Sequence, residues 1–134
     1  NISTFASKES ASLFARMATK DKNKILNILK EVLLEPSFDA TEFDKEKKRL
    51  LVSLEQQKES PRSVIASYFD KFLYGDHVYG NIVQGKISTV TPLTVEEVKK
   101  FYTENYLPEG SAISVAGDFN KAEMKTLITN LFSK

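Results

Sequence analysis

The chain has 134 residues, 41% hydrophobic and 28% charged, a length and composition that fit one folded domain and exclude a disordered segment. Nineteen basic against eighteen acidic side chains leave a net charge of +1, which gives no footprint for nucleic acid or a charged membrane surface. No cysteine is present, so disulfides and thiolate metal sites are excluded, and no apolar run nears the ~18 residues of a spanning helix.

Residues Ile2–Ala6 and Ser10–Ala18 read as two strands around the polar turn Ser7-Lys8-Glu9-Ser10. In the second, Leu13, Ala15 and Met17 alternate with Phe14 and Arg16, which places the two sets on opposite faces. From Lys20 to Glu35 the apolar residues Ile25, Ile28, Leu29, Val32 and Leu33 fall at helical spacing, widened by Leu26 and Leu34, and Pro36 ends the run. Asp39 and Glu42 predict a capping box for a helix that buries Phe43, Leu50, Leu51 and Leu54 and turns Lys45, Lys47, Lys48 and Arg49 to water.

Ser60-Pro61 predicts the cap and first residue of a third helix, with Val64, Ile65, Tyr68, Phe69, Phe72 and Leu73 as a broad apolar face and Gly75 as the stop. Residues 76–92 read as a loop with room for one short helical turn. A further helix follows Thr94, with Glu97 completing a capping box and Val98, Phe101 and Tyr102 buried. Pro108-Glu109-Gly110 then leads into an expected strand, Ala112–Ala116, and Asn120 caps a last helix carrying Met124, Leu127, Ile128 and Leu131. Strands at the two ends with helices between define an α+β class, an antiparallel sheet with a layer of helices, in one unit spanning residues 1–134. The opening Asn1-Ile2-Ser3, without Met, fits an excised or processed piece whose targeting information lies upstream.

Catalytic residues are not evident. A catalytic zinc needs about three protein ligands, commonly with two histidines one helical turn apart, and this chain holds one histidine, His77, expected to pack near Tyr74 and Tyr79. His-x-x-Glu-His and Gly-x-Ser-x-Gly are absent. Glu96-Glu97 and the Glu55/Glu59 pair fit solvated helix faces, and Val115-Ala116-Gly117-Asp118-Phe119 lacks the further glycines of a dinucleotide fingerprint. The residues alone therefore predict no catalytic, cofactor-binding or metal-binding site in this chain.

Several segments in order carry a resemblance. They are Leu29–Phe43, with helix, Pro, aromatic, acid and Phe; Glu46-Lys47-Lys48-Arg49-Leu50-Leu51; Tyr74-Gly75-Asp76-His77-Val78-Tyr79-Gly80; Leu93-Thr94; Phe101-Tyr102; Tyr106-Leu107-Pro108; and Val115-Ala116-Gly117-Asp118. Together, over about residues 20 to 132, they resemble a half-domain of the insulinase, pitrilysin and mitochondrial-processing-peptidase family of zinc peptidases (the LuxS/MPP-like fold). The loop at Val78 departs from that family's His-Pro-Tyr-Gly by carrying valine for proline.

The resemblance implies a half-domain that pairs with a similar half-domain or subunit, two such pairs enclosing a peptide or unfolded polypeptide. It implies that the zinc-motif helix of active members lies upstream of this segment. Their third ligand, a glutamate, falls near Val52 or Ser53, and Glu55, three residues on, is turned about 300° around the helix. The expectation is a non-catalytic piece, with zinc reserved for a longer parent or its partner. An active parent and an unrelated α+β interaction module are the alternatives. The family's settings imply a periplasmic or cell-envelope location for a bacterial parent, or mitochondria otherwise. An uncovered sheet edge or apolar face further predicts self-association of the piece.

Overall fold

A computed structural model describes residues 1–132, the side chain of Ala66 excepted. Two compact units emerge, Asn1–Ser37 with Pro108–Lys134, and Phe38–Leu107. In the first, β1 (Ile2–Ala6) and β2 (Ala11–Ala15) pair antiparallel, with Ile2 opposite Ala15 and Phe5 opposite Ser12. The turn closes because the Ser7 amide donates to the Ser10 carbonyl at 2.8 Å while the Ser7 hydroxyl accepts from the Ser10 amide at 3.1 Å. The alternation holds: Leu13, Ala15 and Met17 are half-buried, Phe14 and Arg16 exposed.

A 3-10 turn, Thr19–Asp21, feeds α1 (Lys22–Leu34). Its buried residue is Leu26, flanked by half-buried Ile25, Ile28, Leu29 and Leu33, whereas Val32 and Leu34 reach solvent. The buried stripe is therefore narrower than its spacing predicts. A neighbouring helix that packs on it is α6 (Lys121–Phe132), which contributes buried Met124. Asn120 caps α6 as predicted, its Oδ1 accepting from the Ala122 and Glu123 amides at 2.9 and 3.1 Å.

The strand expected at Ala112–Ala116 does not form. A strand exists only through a hydrogen-bonded neighbour, and the one sheet of the described residues contains β1 and β2 alone. Ile113 and Val115 consequently stand exposed. Among the described residues strands thus occur near the N-terminus only, and the architecture is mostly helical with a small antiparallel sheet, compatible with the α+β class.

In the second unit, α2 (Ala40–Lys58) packs against α3 (Pro61–Tyr74) and the single turn α4 (Ile87–Val90), burying Leu54 and Val90. Asp39 Oδ1 accepts from the Glu42 amide at 2.9 Å, but the Glu42 carboxylate turns to Lys45 Nζ at 2.6 Å, so the box predicted there is half made. The box before α5 (Val95–Asn105) is complete: Thr94 Oγ1 accepts from the Glu97 amide at 3.2 Å and Glu97 Oε2 accepts from the Thr94 amide at 2.8 Å. Phe38 holds a left-handed backbone (φ 47°), unfavourable for a bulky residue, and its ring packs edge-on to Tyr102 at 5.3 Å.

Two expectations in this unit fail, those for Lys47 and Phe101, and one apolar face goes uncovered. Lys47 is half-buried and not solvated: its Nζ donates to the Leu93 carbonyl at 2.7 Å and lies 5.8 Å from the Phe43 ring centroid. A long methylene stem lets a lysine cover apolar surface while its ammonium finds an acceptor. Phe101 is exposed, touching Tyr106 at 6.5 Å between ring centroids. On α3, Ile65, Tyr68, Phe69, Phe72 and Leu73 all face solvent.

Candidate functional site

Two features of the second unit bear on function: the C-terminal half of α2 and the turn after α3. Leu51, Val52, Glu55 and Gln56 of α2 and Glu59 just past its end line a shallow open groove of about 360 Å³, together with Ile87 of the α4 turn and Thr91 just after it. Leu51 and Ile87 are half-buried, whereas Val52 and Ser53 are exposed. Glu55 is engaged by Lys58, whose Nζ donates to Oε2 at 3.0 Å, an i,i+3 pair on an exposed helix face.

The turn is built around Gly75 and Gly80. Gly75 ends α3 with φ 55°, a conformation that glycine adopts without a Cβ penalty. Lys71 Nζ then donates to the Gly75 carbonyl at 2.8 Å and to Asp76 Oδ1 at 2.7 Å. The Lys71 hydrogen bond, and then its charge, hold the Asp76 carboxyl below its ordinary 3.8. His77 Nδ1 accepts from the Tyr79 amide at 3.2 Å, and its ring meets Tyr79 edge-on at 4.9 Å between centroids. Tyr79 in turn meets Tyr74 edge-on at 5.7 Å. His77 therefore sits as expected beside Tyr74 and Tyr79, with one ring nitrogen spent on the backbone. Gly80 is buried, and its amide donates to the His77 carbonyl at 2.8 Å.

Among the described residues no three His, Cys, Asp or Glu side chains gather where they could share a metal ion. At the α2 positions singled out by the resemblance stand a hydrocarbon and a hydroxyl, neither in the carboxylate, imidazole or thiolate set that zinc takes from proteins. Among the described residues, Val52 and Ser53 therefore give zinc no ligand at those positions. Sequence reasoning missed the groove, because α4 is a four-residue turn inside a segment rich in Gly and Pro. The pairing of Ile87 and Thr91 with α2 has no local signal. The Lys47 contact to Leu93 was equally hidden, as it joins residues 46 apart in sequence.

Comparison with known proteins gives this geometry a family. Residues 1–85 match the family described as Insulinase (Peptidase family M16), and residues 92–134 match the Peptidase M16 inactive domain. The chain belongs to the insulinase family of peptidases, M16. Among its relatives are "Uncharacterized zinc protease YmxG" of Bacillus subtilis, 24% identical over 124 residues (92% of this chain, 30% of that protein), and "Uncharacterized zinc protease ML0855" of Mycobacterium leprae, 24% identical over 131 residues (98% and 29%). The beta subunit of the mitochondrial-processing peptidase of Blastocladiella emersonii is 20% identical over 134 residues, all of this chain and 29% of the subunit. The chain thus spans about 30% of the length of these relatives. Family membership removes the unrelated interaction module from consideration.

Proposed function

We propose that this chain is a piece of a non-catalytic M16 half-domain, a piece that does not include the zinc-motif segment, and that it helps wall a peptide-enclosing chamber beside a catalytic partner. The observation that carries the reading is the exposed Val52-Ser53 pair on α2, where the resemblance calls for a metal-binding glutamate. A peptidase of this chemistry works by polarising a scissile carbonyl and activating water on zinc. Without the metal carboxylate, the helix keeps its structural role, because Leu54 still buries its side chain against the unit's interior while the outer side of α2 faces the groove. The groove is lined by apolar Leu51, Val52 and Ile87 and by the carboxylates of Glu55 and Glu59, so it offers a peptide both apolar contact and hydrogen-bond acceptors.

In this reading the partner is a homologous half-domain or subunit that supplies the zinc, and the substrate is an unfolded or extended polypeptide. The names of the relatives favour a second reading, in which a longer parent is itself an active zinc endopeptidase with its histidine motif upstream. Hydrolysis of a quenched fluorescent peptide library separates the two. The first predicts that the parent alone is inactive and that activity appears on adding its partner subunit. Chelator-sensitive cleavage by the parent alone overturns it in favour of the second.

A further inference from the structure

We propose that His77 is a pH-sensitive latch on the turn after α3, closed while its imidazole is neutral and released when acid protonates it. The contacts that carry it all lie within residues 71–81, and neither zinc nor the non-catalytic assignment enters.

The latch is one hydrogen bond whose direction is fixed. The Tyr79 amide can only donate, so His77 Nδ1, 3.2 Å away, presents its lone pair and leaves the ring proton on Nε2. Protonation puts an N–H on Nδ1 as well, and two donors then face each other. The bond is therefore present with the neutral ring and lost with the charged one. It is also the side-chain cap of the 3-10 turn Val78–Gly80. Amides at the start of a helical turn have no partner within it, so the imidazole is what satisfies this one.

The turn that it caps is held by short contacts on every side. The His77 amide donates to the Tyr74 carbonyl at 3.0 Å, the Gly80 amide to the His77 carbonyl at 2.8 Å, and the Asn81 amide to the Val78 carbonyl at 3.1 Å. The imidazole meets the Tyr79 ring, which meets Tyr74 in turn. Gly80 is buried where a Cβ would strike the Gly75 carbonyl. An imidazolium that swings away from the Tyr79 amide gives up the ring contact too, and loosens the turn as a unit.

The neighbouring charges leave His77 as the group that switches. α3 packs against the turn, and its titratable groups at that end are Asp70, Lys71 and Tyr74; the turn itself carries Asp76 and Tyr79. Carboxylates, lysines and tyrosines ordinarily hold one charge state between about pH 5 and 8, the range in which a histidine titrates. Asp76 and Lys71 are bonded to each other at 2.7 Å, a pair with no net charge. The chain has one histidine and no cysteine, so no other side chain in it ordinarily changes charge there.

Asparagine separates the cap from the switch. Its Oδ1 is bonded to Cγ as Nδ1 is in histidine, so His77→Asn keeps an acceptor in place and does not titrate. The test is hydrogen exchange in the native protein that contains this chain, corrected for the intrinsic rate at each pH and read by mass spectrometry on the peptide spanning residues 76–81. From about pH 8 to about pH 5, protection of that peptide should fall roughly two- to thirtyfold, the size of a lost cap. His77→Asn should stay protected at both values and His77→Ala should exchange fast at both, with peptides of α2 steady throughout. Equal protection of the unaltered turn at the two values overturns the proposal. So does a fall that persists in His77→Asn, which assigns the response to another group, or a His77→Ala turn as protected as the original. A loss shared by α2 reports wider unfolding and overturns the local latch.

Discussion

Replacing Gly80 with alanine tests the packing of the turn that follows α3. A Cβ built on Gly80 lies 2.7 Å from the Gly75 carbonyl oxygen, inside the distance that real Cβ contacts reach, and 3.6 Å from Lys71 Cδ. The near neighbour is backbone, so no side-chain rotation relieves it. The Gly75 carbonyl is also the acceptor for Lys71 Nζ, and it cannot retreat without stretching that 2.8 Å hydrogen bond. Gly80 is buried as well, so the turn cannot swing its Cβ into water. Overpacking of this kind costs about 1–3 kcal/mol. At about 1.4 kcal/mol per tenfold, that is roughly a five- to hundredfold loss in the folding equilibrium constant. Urea unfolding followed by far-ultraviolet circular dichroism measures it, with the midpoint expected to fall at an unchanged slope. A variant as stable as the parent chain would refute the close approach of the two glycines and, with it, the account of why the turn has its shape.

Asp39→Ala removes the acceptor for the Glu42 amide and should cost about 1 kcal/mol in the same urea experiment, while Asp39→Asn should recover most of it. Lys47→Met keeps the stem against Phe43 but leaves the Leu93 carbonyl without its ammonium donor, a loss of about 1–2 kcal/mol at a half-buried site; no change would show that water replaces the donor freely. Asp76 should titrate below 3.8 by carboxyl carbon NMR, and Lys71→Met should move its midpoint back up. Because its folded pKa is the lower one, its contribution is present above the unfolded value and disappears as pH falls through the folded value; a midpoint unmoved by Lys71→Met would contradict the pairing.

Helix starts were legible because capping chemistry is local. Asp39, Ser60, Thr94 with Glu97, and Asn120 each lie within three residues of the amides that they cap. Gly75 as a stop was readable for the same reason, since one residue's backbone freedom decides it. What depends on distant partners was not. Ala112–Ala116 has a strand's composition, but pairing decides a strand, and none of the described residues pairs with it. The apolar spacing of α3 was read correctly as a stripe, yet a stripe does not name what covers it, and Phe72 stands open. Lys47 looked solvated because its charge was read without its stem. At the candidate site, one histidine and no zinc motif could be read directly, whereas the significance of Val52 and Ser53 came only from alignment to a known pattern. The groove beside them needed the fold, because it joins α2 to a turn about 30 residues away.

The central claim is that α2 carries no metal carboxylate where an active relative of this kind would need one. The direct measurement is the zinc content of a longer parent containing this chain, purified without added metal and analysed by elemental mass spectrometry alongside its Ser53→Glu variant. The account predicts zinc well below one per chain for the parent, and a gain on Ser53→Glu only where a histidine pair lies upstream. Close to one tightly held zinc per unaltered chain would contradict it, and would mean that another residue of α2 or its surroundings completes an active site.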